Sequence, residues 1–396
     1  MEGASFNHGK VTEGMFRRSF QLLSSLQLTL VCLGAAILLI FAGTLAQVHL
    51  GIHEAQQRYF QSLFVWWPAR GEGFRLPVFP GGHLIGAVLL LNLIAAHAKR
   101  FRWTWRKLGI HLTHVGLIVM LAGGLFTDLF AVESYMRLAP GETRQYSEDR
   151  RAMELAVTDI TEPAADQVTA IPEELLKPGH VISHPTLPFT VLARDYFPNS
   201  RLHMAGSGGV ATKGVGAQVG VEPLPPGTGV DEKDIASAVL EISPTQPNRA
   251  SLGRWLVSEA LGAPQTFFCE GKTWRLALRP VRYYQPFSIS LEKFSHDLYA
   301  GTQIPKNFSS RVILSDPERA VQREVLIYMN HPLRYRGLTF YQAGFEKGDT
   351  ATVLQVVHNP SFLAPYVACV IVALGLLIQF GYHLVGFSRQ RRTALA

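Results

Sequence analysis

Apolar residues follow two rhythms along this chain. Continuous runs occupy Leu22 to Leu50, Leu76 to Ala98, Leu108 to Thr127 and Phe362 to Phe387. Each reaches the roughly 20 residues that a helix needs to cross a bilayer, so each predicts a transmembrane helix. Between the third and fourth runs the rhythm becomes short alternating segments rich in β-branched and aromatic residues. Phe189 to Ala193, Ala236 to Ile242, Trp274 to Leu278, Phe287 to Leu291, Arg311 to Leu314, Val325 to Tyr328, Leu338 to Gln342 and Thr352 to Val357 have this form. That period predicts strands, and many short strands divided by turns predict a sandwich or barrel-like domain. Ala205 to Gly229 is rich in Gly and Pro and predicts a mobile loop or insertion. Between runs one and two, YFQSLFVWWPARGEGF places Tyr59, Phe60, Phe64, Trp66 and Trp67 close together. They predict an interfacial aromatic belt or short amphipathic helix, or else a ledge for a flat apolar ligand.

The predicted fold class is a membrane protein of four transmembrane α-helices with a large extracytoplasmic β-rich domain inserted between helices three and four. Its segments are a cytoplasmic N-terminus (1–21), three helices with short loops (22–130), the β-rich domain (131–360), the fourth helix (361–387) and a cytoplasmic tail (388–396).

Charge adds the orientation. Arg17 and Arg18 precede run one; Lys99, Arg100, Arg102, Arg106 and Lys107 lie between runs two and three; Arg389, Arg391 and Arg392 follow run four. Short basic loops stay in the cytoplasm, which puts all three clusters and both termini inside and residues 131–360 outside. The same clusters account for much of the net charge of +7 in 396 residues and sit beside anionic lipid headgroups, so nucleic acid is not implied. Run one is longer than the apolar core of about 7–15 residues in a cleaved secretory signal and reads as an uncleaved anchor.

Candidate chemistry is sparse. Cys32, Cys269 and Cys369 form no CxxC, and two of them fall inside runs, so no disulfide framework is expected; Cys269 reads as a small buried apolar residue. No Ser/His/Asp set, paired carboxylates, phosphate loop or metal-ligand spacing is present, which leaves hydrolase chemistry unsupported. Four spans with no inverted repeat or pair of broken helices argue against a transporter. What remains is ionisable groups in or beside the apolar runs, where their cost makes function the default reading. His97, His111 and His114 flank the basic, aromatic turn KRFRWTWRK; His83 opens run two, some 20 Å from His97 by helical rise. His111 and His114 share a face at i, i+3, with His114 about 9 Å into its helix. Their structural alternative is a hydrogen bond to a facing helix. Asn92 reads as packing glue across helices, and His383 as a snorkelling side chain. His331, before Pro332, reads as a satisfied loop histidine with iron ligation as its alternative. Tyr335, Phe340, Tyr341 and Phe345 read as core or docking aromatics.

Four blocks, in order, carry a resemblance: YFQSLFVWW, LLLNLIAAHAKRFRWTWRKLGIHLTHVGLIVMLAGG, PFSISLEKFSHDLYAGTQIPKNFSSRVIL and MNHPLRYRGLTFYQAGF. Over nearly the whole chain, except Ala205 to Gly229, it resembles the ResB/CcsB membrane proteins of cytochrome c biogenesis, the pathway called System II. The resemblance implies a subunit that works with a multi-span haem-handling protein of the ResC/CcsA type to move haem outward and attach it to apocytochrome c. It implies a non-catalytic or shared subunit of a haem lyase complex, because the partner's tryptophan-rich haem segment and outer histidine pair are not recognisable here. Membrane lipid and a thioredoxin-like thiol reductant are further implied partners. The implied cofactor is haem b, shared with the partner subunit. His97 is the first choice for an iron ligand, His114 and His111 follow, and His83 would line an exit; the basic turn would steer the propionates, against its ordinary role as a topology signal. The implied location is a bacterial cytoplasmic membrane, with a thylakoid membrane as the other setting. The competing reading is a membrane scaffold that stabilises the partner and recruits apocytochrome or the reductant without touching haem.

Overall fold

A computed structural model describes residues 17–67, 74–163, 165–205, 208–227, 233–246, 249–262, 264–298, 301, 305–346, 348 and 350–395. The chain divides into two compact units: a helical one, made of residues up to 131 and from 359, and a β unit between 132 and 358. Among the described residues, four helices are long and apolar enough to cross a membrane: α1 (Leu26–Ala55), α2 (Gly82–Arg100), α3 (Leu108–Phe130) and α4 (Ala364–Leu395).

Helix α1 is capped by Ser25, whose side chain accepts from the Leu28 N–H at 3.2 Å. A short helical segment at 17–23 precedes it, so the run that began at Leu22 in the sequence is broken at Ser24 and Ser25. Gly51, at φ 77° and ψ 166°, interrupts α1 next to Leu50, where the apolar run was expected to stop. That left-handed φ suits glycine alone, and it redirects the chain into a π-helical turn, Gln56–Phe60. Phe60 then rests on Gly43, where a Cβ would lie 2.6 Å from its ring.

The second expected span needs a correction. Leu76–Pro80 is a strand, paired antiparallel with Phe64–Trp67, and α2 begins only at Gly82. Pro77 and Pro80 remove two backbone donors, and Gly81 and Gly82 lie so close to the Ser62 and Phe60 carbonyls that a Cβ would sit 2.2 and 2.3 Å from them. An apolar run therefore became a hairpin followed by a helix. The aromatic segment 59–67 accordingly forms the π turn and hairpin rather than an amphipathic α-helix.

Asn92, 2% exposed, joins α2 to α1. Its amide donates to the Leu23 and Ser25 carbonyls at 2.6 and 3.0 Å and its oxygen accepts from Thr29 Oγ1 at 2.6 Å. Helices α3 and α4 meet along small residues: Cβ atoms at Gly109, Gly116 and Gly123 would lie 2.4–2.8 Å from Gly375, Gln379, Val372 and Ala364. A seam of this kind lets backbones approach closely where no hydrophobic driving force exists.

The β unit holds two large cores joined by one long strand, Lys272–Leu298, with a third, smaller cluster beside the first. Lys272–Leu298 and Thr143–Asp159 run antiparallel, with Trp274 opposite Asp159 and Tyr284 opposite Tyr146. Trp274, Leu276, Leu278, Met153, Leu155 and Val157 enter a first core with Phe189, Val191 and Leu240. Phe287, Ile289 and Leu291 enter a second, with Met136, Val312, Phe340 and Leu354. The register breaks between Tyr284 and Ile289, where four residues of one strand face one of the other. The main sheet orders its strands Val321–Tyr328, Pro305–Asp316, Lys272–Leu298, Thr143–Asp159, Val132–Leu138, Thr352–His358, Leu338–Phe345 and Leu333–Tyr335. A four-stranded sheet, Gly253–Ser258, Ser237–Pro244, Phe189–Phe197 and Val181–Ile182, covers the first core.

Seven of the eight strands expected from the alternation lie inside observed ones and the eighth, Ala236 to Ile242, starts one residue before Ser237–Pro244; two of them, at Trp274 and Phe287, belong to the same long strand. The expected loop at Ala205 to Gly229 is corrected in its described part: Val219–Pro223 pairs with Ser200–Met204, and Ala211 and Val219 are buried with Val239 and Leu256. Residues 206, 207, 228 and 229 of that stretch lie outside the described residues. Cys269 is buried, and its thiol is pushed up by burial and by Glu270.

Candidate functional site

Helices α2 and α3 bring three histidines together. His97 lies in the last turn of α2, and His111 and His114 lie in the first two turns of α3, after the turn containing Phe101, Trp103 and Trp105. The His97 ring centroid is 5.1 Å from that of His111, at 89°, and 5.5 Å from that of His114, at 31°. Phe101 packs on both His97 and His111, at 5.7 and 4.8 Å. Three of the four residues named from the sequence thus form one cluster, and the fourth does not.

The three rings are held differently. His111 is buried, its Nε2 is 3.1 Å from the Arg102 carbonyl, and its Nδ1 has no partner. The carbonyl requires the hydrogen on Nε2, which leaves a lone pair at Nδ1 inside the packing. His114 donates from Nδ1 to the Ile110 carbonyl at 2.7 Å, so its Nε2 carries the lone pair. For His97 neither ring nitrogen has a hydrogen bond among the described residues; it is held by ring contacts alone.

These distances decide what the cluster can bind. Two imidazoles on opposite sides of one iron, each bonded at about 2 Å, would have ring centroids roughly 6 Å apart and nitrogens facing one another. Rings at 5.1 and 5.5 Å, one pair perpendicular, do not straddle a metal, and no three His, Cys, Asp or Glu side chains among the described residues are grouped to chelate an ion. The cluster could offer a haem iron a single imidazole nitrogen but not a facing pair. His114 has the orientation of a ligating histidine, with Nδ1–H on a carbonyl and Nε2 free. His97 is the least constrained of the three.

Around the cluster, the basic turn is exposed. Lys99 donates to Ser24 Oγ at 3.0 Å and Arg106 lies 5.9 Å over the Tyr382 ring, so two of its five cations already have partners. His383, expected only to snorkel, bonds Gln379 at 2.8 Å one turn away.

His83 is at the other end of α2, where its Nε2 pairs with Asp128 of α3. Gln61 donates to the second oxygen of that carboxylate at 2.8 Å. Asp128 escaped the sequence reading because the third run was closed at Thr127, three residues before α3 ends at Phe130; the signal was an acid inside LFTDLF.

In the β unit the candidates are structural. Phe340 is fully buried. Tyr335 donates to buried Asp316 at 2.6 Å, and Arg336 pairs with the same carboxylate, bonds that outweigh burial and hold its pKa low. His331 stacks on Tyr328 at 4.7 Å in a turn, and its N–H donates to the Tyr328 carbonyl at 2.9 Å.

Comparison with known proteins agrees with the resemblance. The model of the ResB-like family matches residues 267–353. The chain is 26% identical over 299 residues to Protein NrfI of Wolinella succinogenes, a match covering 73% of this chain. It is 38% identical over 61 residues, 15% of its length, to the cytochrome c biogenesis protein CcsB of a Synechococcus species. The chain spans 29% of the length of NrfI and 14% of that CcsB. Its likeness to the ResB/CcsB proteins is therefore shown by a family model and two relatives.

Proposed function

We propose that this chain is a membrane subunit that presents haem for covalent attachment to apocytochrome c, in complex with a haem-handling partner of the ResC/CcsA type. In this reading α1 to α4 cross the membrane, the basic clusters and both termini face the cytoplasm, and residues 131–360 form the outer domain. The observation that carries it is the imidazole cluster at the basic end of α2 and α3, in a chain similar to a cytochrome c biogenesis protein.

Haem, once bound, supplies the vinyl groups to which thiols add. The chain's own residues bind and orient it. His114 would hold the haem iron through Nε2 and is kept in that tautomer by the Ile110 carbonyl. His97, named first from the sequence, is the alternative ligand and needs a partner to fix its ring. His111, anchored on Arg102, walls the cluster. Arg100, Arg102 and Lys107, exposed beside it, are placed to pair with propionates. Because no two of these rings face one another across a metal-sized gap, a second protein ligand to the haem would have to come from the partner subunit. The β unit contributes a folded outer surface for the partner or the acceptor.

The test is the absorption spectrum of the chain purified with and without its partner, for wild type, His97→Ala and His114→Ala. A Soret band that requires the partner and disappears in one variant, at normal partner levels, supports a shared site. An unchanged band in both variants overturns ligation by this cluster, and loss of the partner itself in the variants supports a scaffold.

A further inference from the structure

The long strand of the β unit parts from its neighbours where the register breaks. Arg282, Tyr283 and Tyr284 pair with Glu148, Ser147 and Tyr146, and pairing resumes only at Ser288 and Ile289, so Gln285, Pro286 and Phe287 have no strand neighbour in register on either side. On the other flank of Thr143–Asp159, the strand Val132–Leu138 meets it at one registered pair, Tyr135 with Glu148. Where the strands separate, a cavity of about 410 Å³ opens inside the β unit. That volume lies in the range of a ligand pocket, roughly 300 to 1,000 Å³.

Val132, Phe287, Leu338 and Val356 give the cavity apolar walls, and Tyr284, 57% exposed, stands at its rim. Its polar groups are few and mostly engaged. Ser134 donates to Ser147 Oγ at 2.8 Å, and Gln285 Nε2 donates to the same oxygen at 3.1 Å. The Arg336 guanidinium is neutralised by Asp316 and Glu318, and no carboxylate among the described residues lines the space. What is left over is Gln285 Oε1, buried and without a hydrogen bond among the described residues. A buried acceptor in that state is costly, and native structures match such atoms with a donor.

These features select an occupant. The walls call for an apolar body, the orphan oxygen calls for one N–H or O–H, and the neutral lining disfavours a group that brings a full charge. Indole and phenol meet all three conditions. The unpaired stretch narrows the choice further, because the backbone groups of residues 285–287 have no ladder partner and an extended peptide is what such groups pair with. A bulge that only bent the strand between its two cores would explain the break in register, but neither the cavity nor the orphan acceptor.

We propose that this cavity binds an uncharged aromatic side chain bearing a donor, tryptophan or tyrosine, presented by an extended peptide of a partner protein. Gln285 Oε1 is the acceptor for that donor, and the backbone of residues 285–287 is the docking edge. That the peptide comes from a partner on the outer side rests on the function proposed above; the preference of the cavity does not.

The experiment follows the fluorine resonance of a capped pentapeptide, threonine and valine around a central fluorotryptophan, as the full chain in detergent is added. Wild type is expected to bind it saturably, and to bind the N-methylindole analogue, which lacks the donor, roughly tenfold more weakly. Gln285→Met keeps the size of the side chain and removes the acceptor, so it should bind the two peptides equally while melting close to wild type. Leu338→Trp fills the cavity from its wall and should abolish binding of both. Neither substitution touches the histidines, and the haem spectrum of the complex should be unchanged in both, so the two proposals fail separately. No saturable binding by wild type, equal affinity of wild type for the two peptides, or full binding by Leu338→Trp overturns the assignment. So does N-acetyltryptophanamide binding as tightly as the pentapeptide, which would make the occupant a small aromatic molecule instead of a chain.

Discussion

The two units of this molecule differ in how they hold polar side chains. In the β unit Glu154 is paired with Arg279 at 2.9 Å, Asp316 with Tyr335 and Arg336, Ser134 with Ser147 at 2.8 Å, and Ser310 with Gln342 and Thr352, while Glu259 Oε2 and Gln285 Oε1 are buried without a hydrogen bond among the described residues. In the helical unit Asn92 is equally satisfied, but His83, His97, His111 and His114 each keep a ring nitrogen with no protein partner. Paired polar groups specify a fold, whereas an unpaired lone pair in apolar surroundings is costly and has a use only toward something outside the chain. On the function proposed above, the contrast distinguishes side chains that hold the fold from histidines left available to a ligand.

Breaking the contrast in the β unit should have the largest effect. Glu154→Gln strands the Arg279 guanidinium, which is only 16% exposed, and should cost about 3–5 kcal/mol in chemical denaturation, while Glu154→Leu combined with Arg279→Met should recover most of it. If the single change leaves stability untouched, the saturated pairs are not structural. A smaller loss of about 1–2 kcal/mol is expected from Asn92→Leu, measured as thermal unfolding in detergent, with the haem spectrum of the complex unchanged. A spectral change there would mean that structure and binding are not separable in the helical unit. The smallest effect is in acid. Lys272 and Thr161 hold Asp159 down to about 2, below its ordinary 3.8. A depressed carboxylate stabilises the fold above its unfolded pKa and loses that contribution as pH falls from about 4 through 2. In Lys272→Met the loss should set in at higher pH, as followed by near-ultraviolet circular dichroism.

How much of this was legible depended on whether a signal was local. The four apolar runs, the strands near Phe189 or Thr352 and the bridging role of Asn92 are written in short windows, and the structure has them. Leu76–Pro80 was misread because a strand and a helix met within one apolar run, although Pro77, Pro80, Gly81 and Gly82 marked the joint. Thr143–Asp159 was missed because its first half carries TRQYSEDRR, charges that face outward while the second half is buried. Val219 was taken for loop because its burial is conferred by Leu256 and Val239, remote in sequence. For the site, proximity of His97 to His111 and His114 followed from a short turn, but which nitrogen each ring offers depends on the Ile110 and Arg102 carbonyls. The pairing of His83 with Asp128 joins residues 45 positions apart and had no local trace.

The long strand from Lys272 to Leu298 has a consequence for how the β unit can be taken apart. Because one continuous ribbon supplies Trp274 to the first core and Phe287 to the second, no cut between them yields two self-sufficient pieces; either fragment would carry a naked half-strand, an edge that invites aggregation. Amides near Leu276 and Ile289 should therefore gain hydrogen-exchange protection together, and the unit should be inherited, mutated and degraded as a single foldon.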